Sequence, residues 1–259
     1  MIEHGPIVRH EPNEHGTFVR GLEVVNATPL SRGFRRITLG GEDLDGFSSL
    51  GPADHVKFIF GEGESALRRD YTPRNFRPAS DGAGAELDVD FYLHGEGIAS
   101  TWSLEAVPGS PVSVGGPRGS RIPPTGAKRV VLGADESSLP ALARWIEMLD
   151  EDVEILAYVE LSGESDAAYL EPSHVHRARV VWLDKADNAL ERAIHALGPI
   201  DTETFLWLAG EATTLVPIRR YLRRELELPA HQVKIDGYWK RGEAGRDHHA
   251  PIDPSDPDD

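Results

Sequence analysis

The segment at residues 69–74 carries two guanidinium groups, an aromatic ring and a hydroxyl within six residues. Arg69 and Arg74 supply guanidinium groups that can neutralise a pyrophosphate. Tyr71 supplies a ring for stacking, and Thr72 supplies a hydroxyl for the edge of a ring system. On a strand, Arg69 and Tyr71 point to one face and Thr72 to the other. Taken alone, the segment is explained equally well as an exposed basic strand with a half-buried tyrosine.

A second segment, at residues 94–102, adds a turn of small residues. Gly95 and Gly97 allow a close approach of the backbone, and a short helix then opens with three small residues, Ala99, Ser100 and Thr101. Free N–H groups at the start of a helix bind phosphate well. A glycine turn with a serine cap has the same sequence, and His94 and Trp102 also suit structural roles. Together, the two segments predict an FAD site.

The elements that must position these residues in the first half of the chain are strands. Short β-rich runs occupy residues 34–39 and 55–60. At residues 87–93 apolar residues alternate with Asp88, Asp90 and Tyr92, which is the period of a half-buried strand. Several short strands without a long helical pattern predict a small antiparallel β-barrel or sandwich.

After residue 126 strands alternate with helices. Strands are predicted at residues 129–132, 154–159, 178–183, 204–208 and 233–235, and helices at 139–149, 189–197 and 215–226. Thr213 or Thr214 is the expected cap of the last helix, with Pro217 in its first turn. This alternation predicts a doubly wound α/β domain, in which ligands bind beyond the carboxyl ends of parallel strands.

Two segments follow such strands and are candidates for a nucleotide site. The candidate residues are Asp135, Glu136, Ser137, Gly210, Glu211 and Ala212. The glycine-rich dinucleotide fingerprint is absent, and helix capping by Asp135 or Ser137 explains much of the first segment. After the last strand, Trp239 is a further candidate to close over a cofactor, although an aromatic anchor for the C-terminus fits equally well.

Composition limits the possible functions. The chain has 259 residues, a formal net charge of −16 and no cysteine. This charge disfavours nucleic acid and anionic membranes as partners, and the lack of cysteine excludes thiolate metal sites. We find no apolar run long enough to span a membrane, and we expect a cytoplasmic protein. The expected organisation is a flexible segment at 1–16, a β-barrel FAD domain at 17–126, an α/β NAD(P)H domain at 127–242 and a disordered acidic tail at 243–259.

Seven segments in order along residues 17–242 resemble the siderophore-interacting protein family, a branch of the ferredoxin-reductase-like flavoproteins. They are residues 69–74, 88–95, 99–102, 116–120, 133–141, 209–212 and 237–240. The resemblance implies a cytoplasmic FAD-dependent reductase that takes electrons from NADH, NADPH or a ferredoxin and releases iron from ferric siderophores as Fe(II). The sequence departs from the family at Ser137 and Ser138, where Thr or Ala is usual, and at Ala134, where Asp is common.

The resemblance also implies roles for individual residues. Arg69, Tyr71 and Thr72 are expected to hold the flavin. The ribityl and pyrophosphate side is expected to be lined by His94, Gly97, Ala99, Ser100 and Trp102, and further cofactor contacts are expected at Arg74, Asp90, Phe91 and Thr101. A basic pocket for the anionic iron chelate is expected from Lys57, Arg118, Lys240 and Arg241. The iron is held by the siderophore, so no protein metal site is expected.

Several alternatives stay open on the sequence. A flavin-dependent reductase of a quinone, a free flavin or a protein partner would use the same architecture, because fold does not fix function. A siderophore-binding module without electron transfer is a third possibility. Arg177 and Arg179 are candidates for binding the 2′-phosphate of NADPH, but NADH and ferredoxin are also possible donors. A monomer is the default expectation.

Overall fold

The computed structural model describes residues 2–13, 15–95, 97–185, 188–247 and 249–257. The chain divides into two compact units. One unit runs from Pro6 to Ile122, and the remainder of the described chain forms the other. None of the helices in the described residues is long and apolar enough to cross a membrane.

The unit from Pro6 to Ile122 is built mainly of antiparallel strands. Its elements are β1 (Ile7–Arg9), β2 (Val19–Pro29), β3 (Phe34–Gly40), β4 (Val56–Phe60), β5 (Leu67–Tyr71), β6 (Pro73–Arg77), β7 (Glu86–Tyr92), α1 (Ile98–Glu105), β8 (Pro111–Gly115) and β9 (Gly119–Arg121). Seven of the strands form one sheet in the order β5-β4-β8-β2-β3-β7-β6, and β1 pairs with β9. The sheet encloses an apolar core that includes Phe58, Leu39 and Phe91, each fully buried. The predicted barrel-like antiparallel domain is confirmed.

Strand β7 departs from the predicted alternation, because its aspartates are buried as well as its apolar residues. Asp88 is 4% exposed and Asp90 is 2% exposed. Arg77 donates to Asp88 at 2.6 Å and Arg36 donates to Asp90 at 2.7 Å. Arginines on the neighbouring strands β6 and β3 thus satisfy both carboxylates. The hydrogen bonds from Arg77 and Thr38 outweigh the effect of burial and hold the pKa of Asp88 below its ordinary value.

The second unit is a five-stranded parallel sheet with helices. Its elements are β10 (Arg129–Asp135), α2 (Leu139–Met148), β11 (Glu154–Leu161), α3 (Pro172–Arg177), β12 (Arg179–Asp184), α4 (Ala189–His195), β13 (Thr204–Glu211), α5 (Ala212–Arg220) and β14 (Val233–Trp239). The strand order is β12-β11-β10-β13-β14, and every pair is parallel. The order reverses between β10 and β13, which is the point where doubly wound sheets bind ligands. The predicted α/β architecture is confirmed.

Helix α5 begins earlier than its apolar pattern predicts. The side chain of Glu211 caps it by accepting a hydrogen bond from the Thr214 N–H at 2.8 Å. The expected cap at Thr213 or Thr214 was therefore wrong, and Pro217 lies inside the helix rather than in its first turn. A π-helical turn, Tyr221–Glu225, continues the helix.

Both chain ends differ from the expected flexible or disordered segments. Near the N-terminus, Ile2 is 3% exposed, and β1 pairs with β9. Near the C-terminus, Ile252 is buried, and Asp253 and Asp256 form ion pairs with arginines of α5 and its π-helical turn. An acidic, proline-rich composition predicts disorder, but here the acidic residues meet a complementary arginine surface. The sequence predicts a solvated loop histidine at His248, which lies outside the described residues.

Candidate cofactor sites

The ring of Tyr71 forms the aromatic centre of the first candidate site. It ends β5 and lies against Phe91, with ring centroids 4.2 Å apart, and against the edge of Phe58. Burial raises the pKa of Tyr71, while the nearby Arg69 charge acts in the opposite direction. Tyr71 therefore presents a neutral phenol at physiological pH, which suits stacking and hydrogen-bond donation.

The polar residues around Tyr71 lie on both sides of the β5–β6 connection. Thr72 is 6% exposed, and Arg69 and Arg74 are half-buried. Arg69 Nη1 donates to the Arg68 carbonyl oxygen at 2.8 Å. This short segment thus carries two guanidinium groups, a phenol and a hydroxyl, and their role in holding a flavin stays a prediction.

The start of α1 carries polar groups for which the described residues provide no hydrogen-bond partner. Gly97 is its N-cap residue, and no described side chain caps the helix. The Oγ of Ser100 is fully buried, and no described residue provides it with a hydrogen-bond partner. A buried hydroxyl without a partner is costly, so such a group is expected to meet a ligand. Uncapped helix N–H groups and a spare hydroxyl fit the pyrophosphate of FAD.

Gly97 itself cannot readily be replaced at this turn. Its φ is +132°, and an added Cβ would lie 3.3 Å from Cε1 of His94. Glycine therefore lets the backbone pass close to His94, which is exposed. The predicted close approach of this turn to a cofactor stays a prediction.

Several other predicted contacts have side chains engaged elsewhere. Phe91 is fully buried in the core, and the Asp90 carboxylate is bound by Arg36. Trp102 packs against Phe58 and Phe91, with both centroid distances 5.6 Å. The remaining two are Ala99, which is buried, and Thr101, which is exposed. The side chains of Asp90 and Phe91 thus make contacts within the protein instead of the predicted contacts with a cofactor.

The second candidate site lies at the carboxyl ends of β10 and β13. Asp135 is 3% exposed and accepts hydrogen bonds from the Ser137 N–H at 2.9 Å and from Nε1 of Trp239 at 2.7 Å. The predicted capping role of Asp135 is confirmed, since it caps the turn Glu136–Ser138. Trp239 is therefore fixed to the end of β10, which the sequence alone did not indicate.

Gly210 is required where β13 ends beside β10. Its φ is +152°, and an added Cβ would lie 2.9 Å from Cγ of Asp135. Ser138 Oγ donates to the Ala209 carbonyl oxygen at 2.9 Å, which ties the two strand ends together. The point where the strand order reverses is thus lined by backbone and small residues. Ala212, the first residue of α5, is also buried there, with 2% exposure.

A buried lysine–carboxylate group extends this edge, and sequence reasoning missed its cation. Lys185 Nζ lies 2.7 Å from Glu136 and 3.5 Å from Asp135, and it lies over the Trp239 ring. Burial alone would raise the pKa of Glu136, but the hydrogen bond from Lys185 holds it below its ordinary value. Burial raises the pKa of the neighbouring Glu160. Lys185 directly follows β12. Its position after a parallel strand could have indicated that it lies at the ligand-binding edge.

The end of β13 is also tied to the segment after β14. Glu211 accepts hydrogen bonds from the hydroxyl of Thr213 at 2.6 Å and from the Arg241 N–H at 3.0 Å. These bonds outweigh burial and lower the pKa of Glu211. The carboxylate is thus a structural acceptor that holds the chain beyond Trp239.

The predicted chelate-binding cations already have contacts within their own units. Lys57 Nζ lies 2.7 Å from Asp70, and Lys240 Nζ lies 3.3 Å from Glu243. The guanidinium of Arg118 lies over the Phe18 ring. Lys57 pairs across the sheet with Gly115, three residues before Arg118. Lys57 and Arg118 therefore lie in the same region of the first unit, while Lys240 and Arg241 belong to the second.

Comparison with known proteins identifies the family of both units. An FAD-binding antiparallel domain followed by a parallel α/β domain defines a two-domain flavoprotein. Residues 23–68 and 61–121 match the siderophore-interacting FAD-binding domain, and residues 127–242 match the siderophore-interacting protein family. The chain belongs to the siderophore-interacting protein family.

Individual relatives cover nearly the whole chain. An NADPH-dependent ferric-chelate reductase of Escherichia coli is 31% identical over 85% of this chain and 92% of its own length. A ferric vibriobactin reductase of Vibrio cholerae is 28% identical over 90% of this chain and 93% of its own length. The crystal structure of a siderophore utilization protein from T. fusca is 32% identical, with a TM-score of 0.79, and the match covers 96% of this chain and 99% of that one.

Proposed function

We propose that this protein is an FAD-dependent ferric-siderophore reductase that uses a reduced pyridine nucleotide to convert chelated Fe(III) to Fe(II). Siderophore oxygen ligands favour Fe(III), so reduction weakens the chelate and releases the iron. When bound, FAD accepts a hydride as two electrons and releases electrons singly. The activities for which the Escherichia coli and Vibrio cholerae relatives are named support this substrate class.

The observation that carries the proposal is the unused polar group at the start of α1. Ser100 Oγ is buried without a described partner, beside uncapped N–H groups that suit an anion. Arg69 and Arg74 lie on the segment that also carries Tyr71. These residues would hold the pyrophosphate and the ring system of FAD, leaving the cofactor to supply the redox chemistry.

In this proposal the other residues bind and orient rather than transfer protons. Lys57 and Arg118 in the first unit, and Lys240 and Arg241 in the second, would attract an anionic chelate. They act locally in a chain whose net charge is −16. The strand ends at Asp135 and Gly210 would bind the pyridine nucleotide. We further propose a cytoplasmic monomer, with ferredoxin as an alternative donor.

The proposal is tested by anaerobic assay of the FAD-loaded protein with a ferric siderophore and a ferrous-specific chelator. Fe(II) should form at the expense of the nucleotide. Arg118→Glu should raise KM for the ferric siderophore and leave reduction of a neutral quinone unchanged. Arg121→Glu is the matched control, since Arg121 is also an exposed arginine of the same unit. Nucleotide oxidation with a quinone but without Fe(II) from any siderophore would refute the substrate class.

A further inference from the structure

The choice between NADH and NADPH depends on one group, the phosphate on the 2′ position of the adenosine ribose. In doubly wound sheets the protein contacts this ribose near the carboxyl end of the second strand in chain order. An acidic residue there suits the free 2′-hydroxyl of NADH, whereas an arginine accommodates the 2′-phosphate of NADPH. In this protein the corresponding strand is β11, which lies between β10 and β12.

The carboxyl ends of these three strands carry carboxylates in neighbouring register positions. Asp135 on β10 pairs with Glu160 on β11, and Leu161 on β11 pairs with Asp184 on β12. Asp184 is exposed at this edge, and Glu160 is 8% exposed. Among the described residues at these three strand ends, the basic one is Lys185 and the acidic ones are Asp135, Glu136, Glu160 and Asp184.

The single basic residue of these segments is already engaged. Lys185 Nζ contacts Glu136 at 2.7 Å and Asp135 at 3.5 Å, and its ammonium lies 5.2 Å from the centroid of the Trp239 ring. Only 25% of its side chain is exposed. Lys185 therefore points towards the end of β10 and balances a carboxylate that is itself 1% exposed.

The two arginines predicted from sequence to bind a 2′-phosphate lie at the opposite end of the sheet. Arg177 donates to the carbonyl oxygens of Asp150 and Val153, just before β11 begins. Arg179 begins β12, five residues before Asp184, which places it about 16 Å from the carboxyl edge. The sequence prediction for Arg177 and Arg179 is therefore wrong, because parallel strands place their first residues far from the ligand edge.

The cations that directly follow the last strand are also remote from β11, and Arg246, further along, donates to the carbonyl oxygens of Ala250 and Pro251. Lys240 and Arg241 follow β14, which is three strand positions away from β11. At the usual spacing between strands this is about 14 Å. The ribose position thus has carboxylates beside it, whereas Lys185 is paired with carboxylates and Lys240 and the arginines lie far from the end of β11.

We propose that this protein prefers NADH to NADPH by at least tenfold in kcat/KM, with the exposed carboxylate of Asp184 disfavouring a 2′-phosphate. This inference rests on the proposed function, since it concerns the donor of the same reaction. One pair of unit charges about 4 Å apart in water changes a binding constant about fivefold, and the 2′-phosphate adds close to two charges.

The first test is calorimetric binding of adenosine 5′-phosphate and adenosine 2′,5′-bisphosphate, which differ only in the 2′-phosphate. The wild-type protein should bind the monophosphate more tightly. Asp184→Lys should strengthen binding of the bisphosphate at least tenfold and raise kcat/KM for NADPH, with no gain for NADH. Glu154→Lys makes the same charge change at the exposed start of β11 and should leave both ligands unaffected.

The outcomes separate this inference from the function on which it rests. Tighter binding of the bisphosphate by the wild-type protein would overturn the NADH preference and leave the reductase proposal intact. A loss of bisphosphate binding in Lys185→Met, without a change for the monophosphate, would also overturn it, because Lys185 would then be the phosphate ligand. Binding of neither nucleotide, with no oxidation of NADH or NADPH, would refute the pyridine-nucleotide site itself.

Discussion

Replacing Ser100 with alanine should affect the FAD-free and the FAD-bound protein in opposite directions. Ser100 is fully buried, and its Oγ has no hydrogen-bond partner among the described residues. An unsatisfied buried polar group costs about 1–3 kcal/mol. Ser100→Ala removes that cost, so the FAD-free protein should keep or gain free energy of unfolding.

In the FAD-bound protein the same change should remove a hydrogen bond to a charged phosphate. Such a bond contributes about 1.5–3 kcal/mol. The dissociation constant for FAD should therefore rise about 10- to 150-fold, since about 1.4 kcal/mol corresponds to a factor of ten. Flavin fluorescence titration measures the dissociation constant, and urea unfolding of the FAD-free protein measures the stability.

Ser103→Ala is the matched control on the same helix. Ser103 is equally buried, but its Oγ already donates to the Ser100 carbonyl oxygen at 2.8 Å. Its replacement should cost about 1 kcal/mol of stability and leave FAD affinity unchanged. If Ser100→Ala instead lowers stability as Ser103→Ala does and binds FAD normally, the Ser100 hydroxyl is not a cofactor ligand.

Three further changes test the second unit. Lys185→Met leaves the buried Glu136 without its cation and should cost about 3 kcal/mol at pH 8. The loss should shrink as the pH is lowered, because burial without Lys185 favours the protonated form of Glu136 in the variant, and urea unfolding at pH 8 and at acidic pH that gives the same loss would contradict this. Gly210→Ala should cost about 1–3 kcal/mol through backbone strain, whereas Gly163→Ala, with an ordinary φ and only an ordinary 3.9 Å contact to Ser165 Oγ, should be neutral in thermal unfolding. Ile252→Ser should cost about 1.5–3 kcal/mol and speed proteolysis of the C-terminal segment, and unchanged proteolysis would contradict its packing role.

The pH dependence predicted for Lys185→Met follows from the direction of the pKa shift. In the wild-type protein the pKa of Glu136 is lowered, so its contribution to stability is present above the unfolded pKa. That contribution is lost as the pH falls through the folded value. Without Lys185, burial would raise the pKa of Glu136, so the variant should lose stability as the pH rises.

Local patterns in the sequence were sufficient for much of the fold. The runs that became β3 and β4 were predicted because apolar, β-branched and aromatic residues cluster there. The strand–helix alternation after residue 126 predicted the parallel sheet, and with it the position of Asp135 and Gly210 at the ligand edge. These features depend on neighbours in sequence, which a single chain reveals directly.

The features that the sequence did not reveal depend on partners from distant segments. Asp88 and Asp90 are buried because arginines on adjacent strands bind them, which an alternating pattern cannot indicate. The C-terminal segment is packed because Asp253 and Asp256 meet arginines more than thirty residues earlier. The unpaired state of Ser100 Oγ is likewise a property of the folded packing, although the residue itself was predicted as a site residue.

The central claim is that electrons from a pyridine nucleotide reach the iron of a ferric siderophore through this protein. The most direct measurement is anaerobic stoichiometry with the FAD-loaded protein, a limiting amount of NADH and excess ferric siderophore. Because a hydride carries two electrons and each Fe(III) accepts one, two Fe(II) should be trapped for every NADH consumed. A bleached flavin that no ferric siderophore reoxidises, with no Fe(II) trapped, would contradict the account.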